Sequence, residues 1–252
     1  MIKFFRQVRQ NLLTENRFSK YILYAVGEIV LVVIGILIAL WISNEAEDYK
    51  NHQAARQYLH ALKTEFEYNQ QNLGKTSARN EKNLALTLEI LKHTGPEQPT
   101  IPERTFDSLL ANAIGFEVQF KPHNGVIEEI ISSGKLSLFK NAELRTSLSS
   151  WSGELVGIRF QEEELSRYRF KLLDLSMQNI KIRDLYLTAG SGGFGISRSK
   201  FKTANTRLLT FQEFESVLTT FMGATTYTRY RFENLSKKID TLLMQIDQEL
   251  KK

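Results

Sequence analysis

The chain has 252 residues, of which 42% are hydrophobic and 24% are charged, and its net charge is +5. It contains no cysteine, which excludes disulfide bonds, thiolate catalysis and cysteine-ligated iron–sulfur clusters. Residues 1–20 carry five positive charges and one negative charge, so they account for most of the net positive charge of the chain. A nucleic-acid-binding surface is therefore not expected in the rest of the chain.

The N-terminal tail, residues 1–20, is basic and amphipathic. Its apolar side chains over residues 2–13 share one helical face, namely Ile2, Phe5, Val8 and Leu12. This pattern predicts an interfacial helix on the cytoplasmic leaflet, with an irregular polar tail as the alternative. The cations expected to contact lipid headgroups are Lys3, Arg6, Arg9, Arg17 and Lys20.

Residues 21–42 form an apolar stretch that is interrupted by one charged residue, Glu28. At about 1.5 Å per residue, a helix of this length just crosses a bilayer. Positive charges precede the stretch and acidic residues follow it, which predicts a cytoplasmic N-terminus. A cleaved signal peptide is the alternative, but no small-x-small pattern follows. We therefore predict an uncleaved transmembrane helix, a signal anchor, over residues 21–43.

Glu28 is the residue of this span that most clearly suggests a function. Ala25, Glu28, Gly35 and Ala39 fall within an arc of about 80° on a helix. Small residues four apart allow a second helix to approach closely, and an acid within a span by default marks a partner or pathway. We predict an intramembrane interaction at these four residues. Alternatively, Glu28 extends to the cytoplasmic headgroups.

Residues 44–93 are predicted to form a juxtamembrane helical hairpin that turns near Gly74. The first helix has apolar residues spaced by three, four and seven, at Leu59, Leu62, Phe66 and Leu73. The second helix, residues 76–93, has Leu84, Leu88 and Leu91 on one side. Three of the four prolines follow in residues 95–102, which indicates a loop.

Residues 103–252 are predicted to form a helical bundle that begins with short elements. Thr105 is a candidate cap for a helix that reaches residue 113, and residues 116–120 alternate like a brief extended segment. A helix over residues 124–133 should end at Gly134, since glycine favours the position after a helix C-cap.

Two long helices complete the predicted bundle. The first begins at Asn141 and reaches towards residue 187, and residues 162–164, all Glu, are expected to be a solvated face. A glycine-rich loop follows at residues 190–195. Thr210 and Glu213 fit a capping box, and the last helix is expected over residues 225–250. The predicted buried positions of the two helices are Leu144, Leu148, Trp151, Leu155, Ile158, Leu235, Ile239, Leu242, Leu243 and Ile246.

The motifs of common enzyme classes do not appear in a convincing context. The four histidines lack metal-ligand spacing, and Ser132 with Lys135 matches S-x-x-K without its partner motifs. Gly134-Lys135 lacks the remaining residues of a P-loop. We therefore expect a protein that is not an enzyme and has no cofactor or metal site.

Two blocks of sequence, residues 1–44 and 124–151, resemble an uncharacterised family of small single-span membrane proteins common in the Bacteroidota. The resemblance implies location and architecture but no activity, because the family is a domain of unknown function. It implies a bacterial inner-membrane protein whose C-terminal domain is periplasmic, and it places Glu28 in the family's usual G-E-I pattern. The exit from the span at residues 41–45 departs from the family's more usual I-N-x-W-N-E-type sequence.

The fold class expected from these observations is mostly α, with an interfacial helix, one transmembrane helix and an all-helical periplasmic bundle. The expected function is a non-enzymatic, membrane-anchored assembly or binding subunit. Its expected partners are membrane lipid and a second copy or another membrane protein. An accessory subunit of a proton-driven membrane complex is one alternative, with Glu28 as its intramembrane acid. A periplasmic sensor module is another.

Overall fold

The computed structural model describes residues 18–188 and 195–251, and this part of the chain is mostly helical, without a β-strand. Six α-helices, α1 to α6, occur in these ranges: Phe18–Leu91, Glu103–Ile114, Gly125–Ser132, Ala142–Asn179, Ile182–Thr188 and Gln212–Leu250. Two 3-10 turns, Lys135–Leu138 and Asn205–Thr210, lie between them. The expected all-α class is confirmed for the described residues.

The chain divides into two compact units, Met1–Gln57 and Tyr58–Lys252, and α1 contributes to both. In the first unit, α1 contains an 18-residue window with a mean hydropathy of 2.7, and none of that window is buried. The described large apolar side chains from Ile22 to Ile42 are each at least 46% exposed. The first unit therefore contains a helix that is long and apolar enough to cross a membrane.

Three long helices form the core of the second unit. The C-terminal half of α1 runs antiparallel to α6, as the contacts Lys63 Nζ–Asp247 Oδ1 (2.6 Å) and Asn80 Nδ2–Thr225 O (3.0 Å) establish. The contact Lys238 Nζ–Glu154 Oε1 (2.7 Å), with others further along, shows that α4 is also antiparallel to α6. Large buried side chains fill the space between the helices, including Phe66, Trp151, Phe214, Phe221 and Phe232.

The hairpin predicted within residues 44–93 is wrong, because α1 continues through Gly74 to Leu91. Gly74 is exposed, and no atom lies within 4 Å of the position that a Cβ would take there. A glycine inside a helix costs about 1 kcal/mol relative to alanine, which packing of the flanking turns readily outweighs. Gly74 is therefore a glycine in the interior of a continuous helix and not a turn.

An uninterrupted spacing of three and four residues explains why α1 does not turn. The positions are Leu59, Leu62, Phe66, Asn69, Leu73, Thr76, Asn80, Asn83, Thr87 and Ile90, all of which are buried except the partly exposed Thr76. Such a repeat keeps one face of a helix against its neighbours. The predicted stripe of Leu84, Leu88 and Leu91 is partly wrong, since Leu88 is 45% exposed. Several buried positions of the repeat are instead occupied by asparagine and threonine.

Several predicted helix ends can be compared with the structure. Asn141 caps α4, where its side-chain oxygen accepts from the N–H groups of Glu143 and Leu144. Gly134 follows the end of α3 with a φ of 71°, a left-handed conformation that glycine adopts without strain. The predicted helix start at Asn141 and the predicted helix end at Gly134 are confirmed. The long helix from Asn141 breaks at Ile180, whose backbone is extended, and α5 follows.

The two predicted threonine caps are wrong. Pro102 is the N-cap residue of α2, and Thr105 lies in its first turn. Thr210 donates its hydroxyl proton to the carbonyl of Arg207, and α6 begins at Gln212 without a side-chain cap. The last helix therefore begins at Gln212 rather than at residue 225, because its apolar face already starts at the buried Phe214.

Candidate functional site

The four residues predicted to interact within the membrane lie on α1 in the first unit. Ala25 and Glu28 are partly exposed, and Gly35 and Ala39 are exposed. No atom lies within 4 Å of the position that a Cβ would take at Gly35, so no described part of the chain covers this position. At about 1.5 Å per residue, the four residues extend over about 21 Å of one helix face.

The five cations predicted to contact lipid headgroups lie almost entirely outside the described residues. This applies to Lys3, Arg6, Arg9 and Arg17, and to the predicted interfacial helix at residues 2–13. The backbone of Lys20 belongs to α1, whereas its side chain is outside the described part. The prediction about headgroup contact stays a prediction.

In the second unit, a cluster of side chains from α1 holds the segment that joins α2 to α3. The Asn69 side chain donates to the carbonyl of His123 and accepts from the N–H of the same residue, both at 2.7 Å. Glu65 accepts from the N–H groups of Val126 and Ile127 at 2.8 and 3.1 Å. These two amides lie in the first turn of α3, where no intrahelical partner exists. Burial raises the pKa of the Glu65 carboxyl, although both amides favour its charged form.

Glu162 holds the same segment from α4, so the prediction of a solvated face is wrong for this residue. Its side chain is buried, and it accepts from the N–H of Phe120 at 2.6 Å and from Arg159 at 3.2 Å. Burial raises the pKa of Glu162 to about 6, despite the opposing effects of these two donors. Glu163, next along the helix, is exposed as expected.

A second buried polar network surrounds Asn205. Its side chain donates to Asp107 and accepts from the N–H of Lys181, and its own N–H donates to Glu103. The Lys181 ammonium pairs with Glu103 at 2.8 Å and with Asp184 at 3.5 Å. Burial raises the pKa of the Asp107 carboxyl. These groups connect α2, α5 and the turn Asn205–Thr210, so they stabilise the packing of these elements against one another.

The enzyme-like motif at Ser132 does not form a catalytic pair. The Ser132 hydroxyl donates to the carbonyl of Glu129, while the Lys135 ammonium donates to the Tyr58 hydroxyl and lies 3.6 Å from the Glu129 carboxylate. In the described residues, no group of three or more histidine, aspartate or glutamate side chains is arranged to hold a metal ion.

A cavity of about 220 Å³ lies between α2, α4 and α5. Its walls are mostly aliphatic, with Ala111, Ile114, Leu173 and Leu185 among them, and they include one charged residue, Arg169. It is therefore a small, mostly apolar cavity with one charged residue in its wall.

Neither the cavity nor the polar clusters were predicted from the sequence. The sequence did contain a signal for Asn69. It lies three residues after Phe66 and four residues before Leu73, so it continues the spacing of buried positions along α1. For Arg169 there was none, since an isolated arginine in a helix ordinarily faces solvent. No family model, curated protein or solved structure matches this chain.

The raised pKa of Glu162 predicts how stability depends on pH. The folded chain holds this proton up to about pH 6, whereas an unfolded chain releases it near pH 4.3. The folded state therefore binds more protons in this window, and the free energy of unfolding falls as pH rises through it. The full effect is about 2 kcal/mol.

Glu162→Gln should remove this part of the pH dependence, because glutamine still accepts from the Phe120 N–H but does not ionise. Thermal unfolding of the full chain at pH 4.5 and pH 7, followed by circular dichroism, measures the change. Glu163→Gln is the matched control on the exposed side of the same helix. Equal pH dependence in the two variants would contradict the role given to Glu162.

Proposed function

We propose that the chain is a non-enzymatic bacterial inner-membrane protein with one transmembrane helix, whose helical bundle in the periplasm serves as an assembly or binding subunit. The observation that carries the proposal is the apolar surface of α1, with a mean hydropathy of 2.7 and no buried residue over 18 positions. A core helix of a soluble protein would bury such a surface, whereas a bilayer accommodates it without further contacts.

The proposed orientation has a cytoplasmic N-terminus and a periplasmic bundle. It rests on the charge asymmetry, since residues 1–20 are basic and Glu45, Glu47 and Asp48 follow the span. The resemblance to single-span proteins of the Bacteroidota supports the same arrangement. The absence of cysteine is compatible with an oxidising compartment, where the bundle would be stabilised by packing alone.

The proposed contact within the bilayer uses the face of α1 that carries Ala25, Glu28, Gly35 and Ala39. Helices in a membrane associate by close packing, and small residues four apart permit the closest approach. Gly35 supports this interpretation because nothing else in the described chain approaches it within 4 Å. The preferred partner is a second copy of this chain, with another membrane protein as the alternative.

A binding role for the bundle is favoured over catalysis by how its buried carboxylates are used. Glu65 and Glu162 accept hydrogen bonds from backbone N–H groups, and Asp107 accepts from Asn205. Groups occupied in this way stabilise the fold and are poorly placed to transfer protons to a substrate.

Substitution at Gly35 tests the proposed contact. Gly35→Leu should weaken self-association of the full chain about tenfold, because a large side chain keeps the helices apart. Gly27→Leu is the matched control, since Gly27 is equally open but lies about 120° from the centre of the proposed face. Single-molecule photobleaching in lipid nanodiscs over a range of protein-to-lipid ratios measures the association. A monomeric wild type, or equal loss in both variants, would contradict assembly through this face.

The orientation can be tested because the natural chain has no cysteine. Gln98→Cys introduces one thiol in the exposed proline-rich loop, and Lys3→Cys introduces one in the N-terminal tail. A membrane-impermeant maleimide applied to intact spheroplasts should label Gln98→Cys at once and Lys3→Cys only after lysis. The reverse pattern, or protection of Gln98→Cys, would show that the proposed orientation is wrong.

A further inference from the structure

The loop over residues 195–204 carries the most exposed large apolar side chain in the described part of the chain. Phe201 has 80% of its surface exposed, which is more than any described apolar side chain of the span. The loop has no regular secondary structure, and all ten of its residues except Ser199 are exposed. A single exposed apolar residue is common on protein surfaces, so its significance depends on the residues around it.

The residues around Phe201 are cations. Lys200 and Lys202 flank it, Arg198 lies three residues before it, and residues 195–204 include no aspartate or glutamate. All three cations are exposed, and no ion pair formed among the described residues includes them. The loop therefore combines the two attractions that hold a protein segment on an anionic bilayer, which are burial of an apolar side chain and attraction of cations to lipid headgroups.

Hydrogen bonds to carboxylates hold the loop on both sides of Phe201. The Asp184 carboxylate, which is buried, accepts from the N–H of Ser199 at 2.8 Å. The Glu103 carboxylate accepts from the N–H of Asn205 at 2.8 Å, and Asn205 is itself fully buried. Because the backbone is held before and after Phe201, the fold itself keeps the ring and its flanking lysines exposed.

The loop lies at one end of the second unit. It leads into the turn Asn205–Thr210, whose Leu209 carbonyl accepts from the N–H of Gly95, just after α1 ends at Leu91. The second unit begins at Tyr58, which is about 50 Å of helix away from Leu91. The covalent connection to the first unit is at the Tyr58 end, which leaves the loop end for another surface.

A basic cleft of about 530 Å³ adjoins the loop. It lies between the break from α4 to α5 and residues 199–203, and none of the described residues in its wall is acidic. Arg183 lies in this wall together with Lys200. Arg183 is exposed and forms no ion pair with another described residue, whereas Lys181 in the same wall pairs with Glu103. Arg183 therefore adds a fourth cation to the three of the loop.

We propose that this loop docks the bundle on an anionic lipid bilayer other than the one that holds α1. Phe201 would enter the boundary between headgroups and acyl chains, and the lipid phosphates would be contacted by Arg183, Arg198, Lys200 and Lys202. A stable protein interface takes about 20–30 residues from each partner, which is more than this loop offers, whereas a bilayer accepts a small exposed tip.

The proposal deepens the binding role given to the bundle and rests on it, because the chain would then connect two membranes. It is independent of assembly through the span. Failure of the loop to bind lipid leaves the Gly35 experiment unaffected, and the reverse also holds.

A dye placed on the loop tests the proposal with the full chain in nanodiscs of phosphatidylcholine. Thr203→Cys introduces a single thiol at an exposed position two residues from Phe201, and NBD attached there brightens when it enters a bilayer. Added vesicles with equal parts of phosphatidylglycerol and phosphatidylcholine should raise its fluorescence saturably, and vesicles of phosphatidylcholine alone should not. NBD at Gln71→Cys, exposed on the side of α1, should respond to neither.

The vesicle concentration that gives half of the fluorescence change measures the affinity. Lys200→Gln combined with Lys202→Gln should weaken binding roughly thirtyfold, since each cation near an anionic surface contributes about a factor of five. Lys75→Gln combined with Lys82→Gln removes the same charge from exposed positions of α1 and should leave the affinity unchanged.

Phe201→Ser separates a bilayer from a partner that recognises charge alone, such as an acidic peptide. It should weaken binding at least tenfold, whereas Phe160→Ser, at a residue of α4 that is 69% exposed, should not. Circular dichroism of each variant reports whether the fold is intact. No change in the loop dye with anionic vesicles, an equal response to both kinds of vesicle, or equal binding of Phe201→Ser and the unsubstituted loop would each overturn the proposal.

Discussion

The hydrogen bonds between the Asn69 side chain and both backbone groups of His123 fix the non-helical segment between α2 and α3 to the long helix α1. The segment between α2 and α3 has no regular secondary structure, so its backbone groups need partners from elsewhere. Asn69 supplies two of them and Glu162 supplies another from α4, while Glu65 from α1 accepts from the first turn of α3. Each buried backbone group left without a partner would cost roughly 1–3 kcal/mol.

Side-chain contacts also hold the segment between α2 and α3 against the core of the second unit. The segment crosses between α1 and α4, where the Trp151 indole N–H also donates to Asn124 at 3.1 Å and the ring packs edge-on against Phe66. Polar residues in the buried repeat of α1 thus specify which backbone segment lies against them, which apolar residues at the same positions would not do. The same helix also carries the apolar surface proposed to cross the membrane.

Much of this architecture could be predicted because hydrophobic periodicity reports it directly. The apolar span, the buried stripe from Leu59 to Leu73 and the helix start at Asn141 each follow from residue type and spacing. The predicted turn at Gly74 is wrong because the repeat of three and four passes through it, and burial of that face outweighs the low helix propensity of glycine. Reading Asn69, Asn80 and Asn83 as members of that repeat would have predicted one continuous helix.

The buried polar residues could not be predicted for a different reason. A run of glutamates is ordinarily solvated, and only the tertiary position of Phe120 brings a backbone N–H to Glu162. Arg169 similarly becomes notable through the end of α2 and the wall of α5, both distant in sequence. Such contacts depend on long-range packing, which periodicity along one helix does not encode.

Hydrogen–deuterium exchange of the full chain in lipid nanodiscs tests most directly whether side chains organise this segment. The amides of Phe120 and His123, which lie outside any helix, should exchange at least about 100-fold more slowly than those of the exposed Glu97 and Gln98. Asn69→Ala should abolish the protection at His123. Equal exchange rates at all four amides in the wild type would contradict the account.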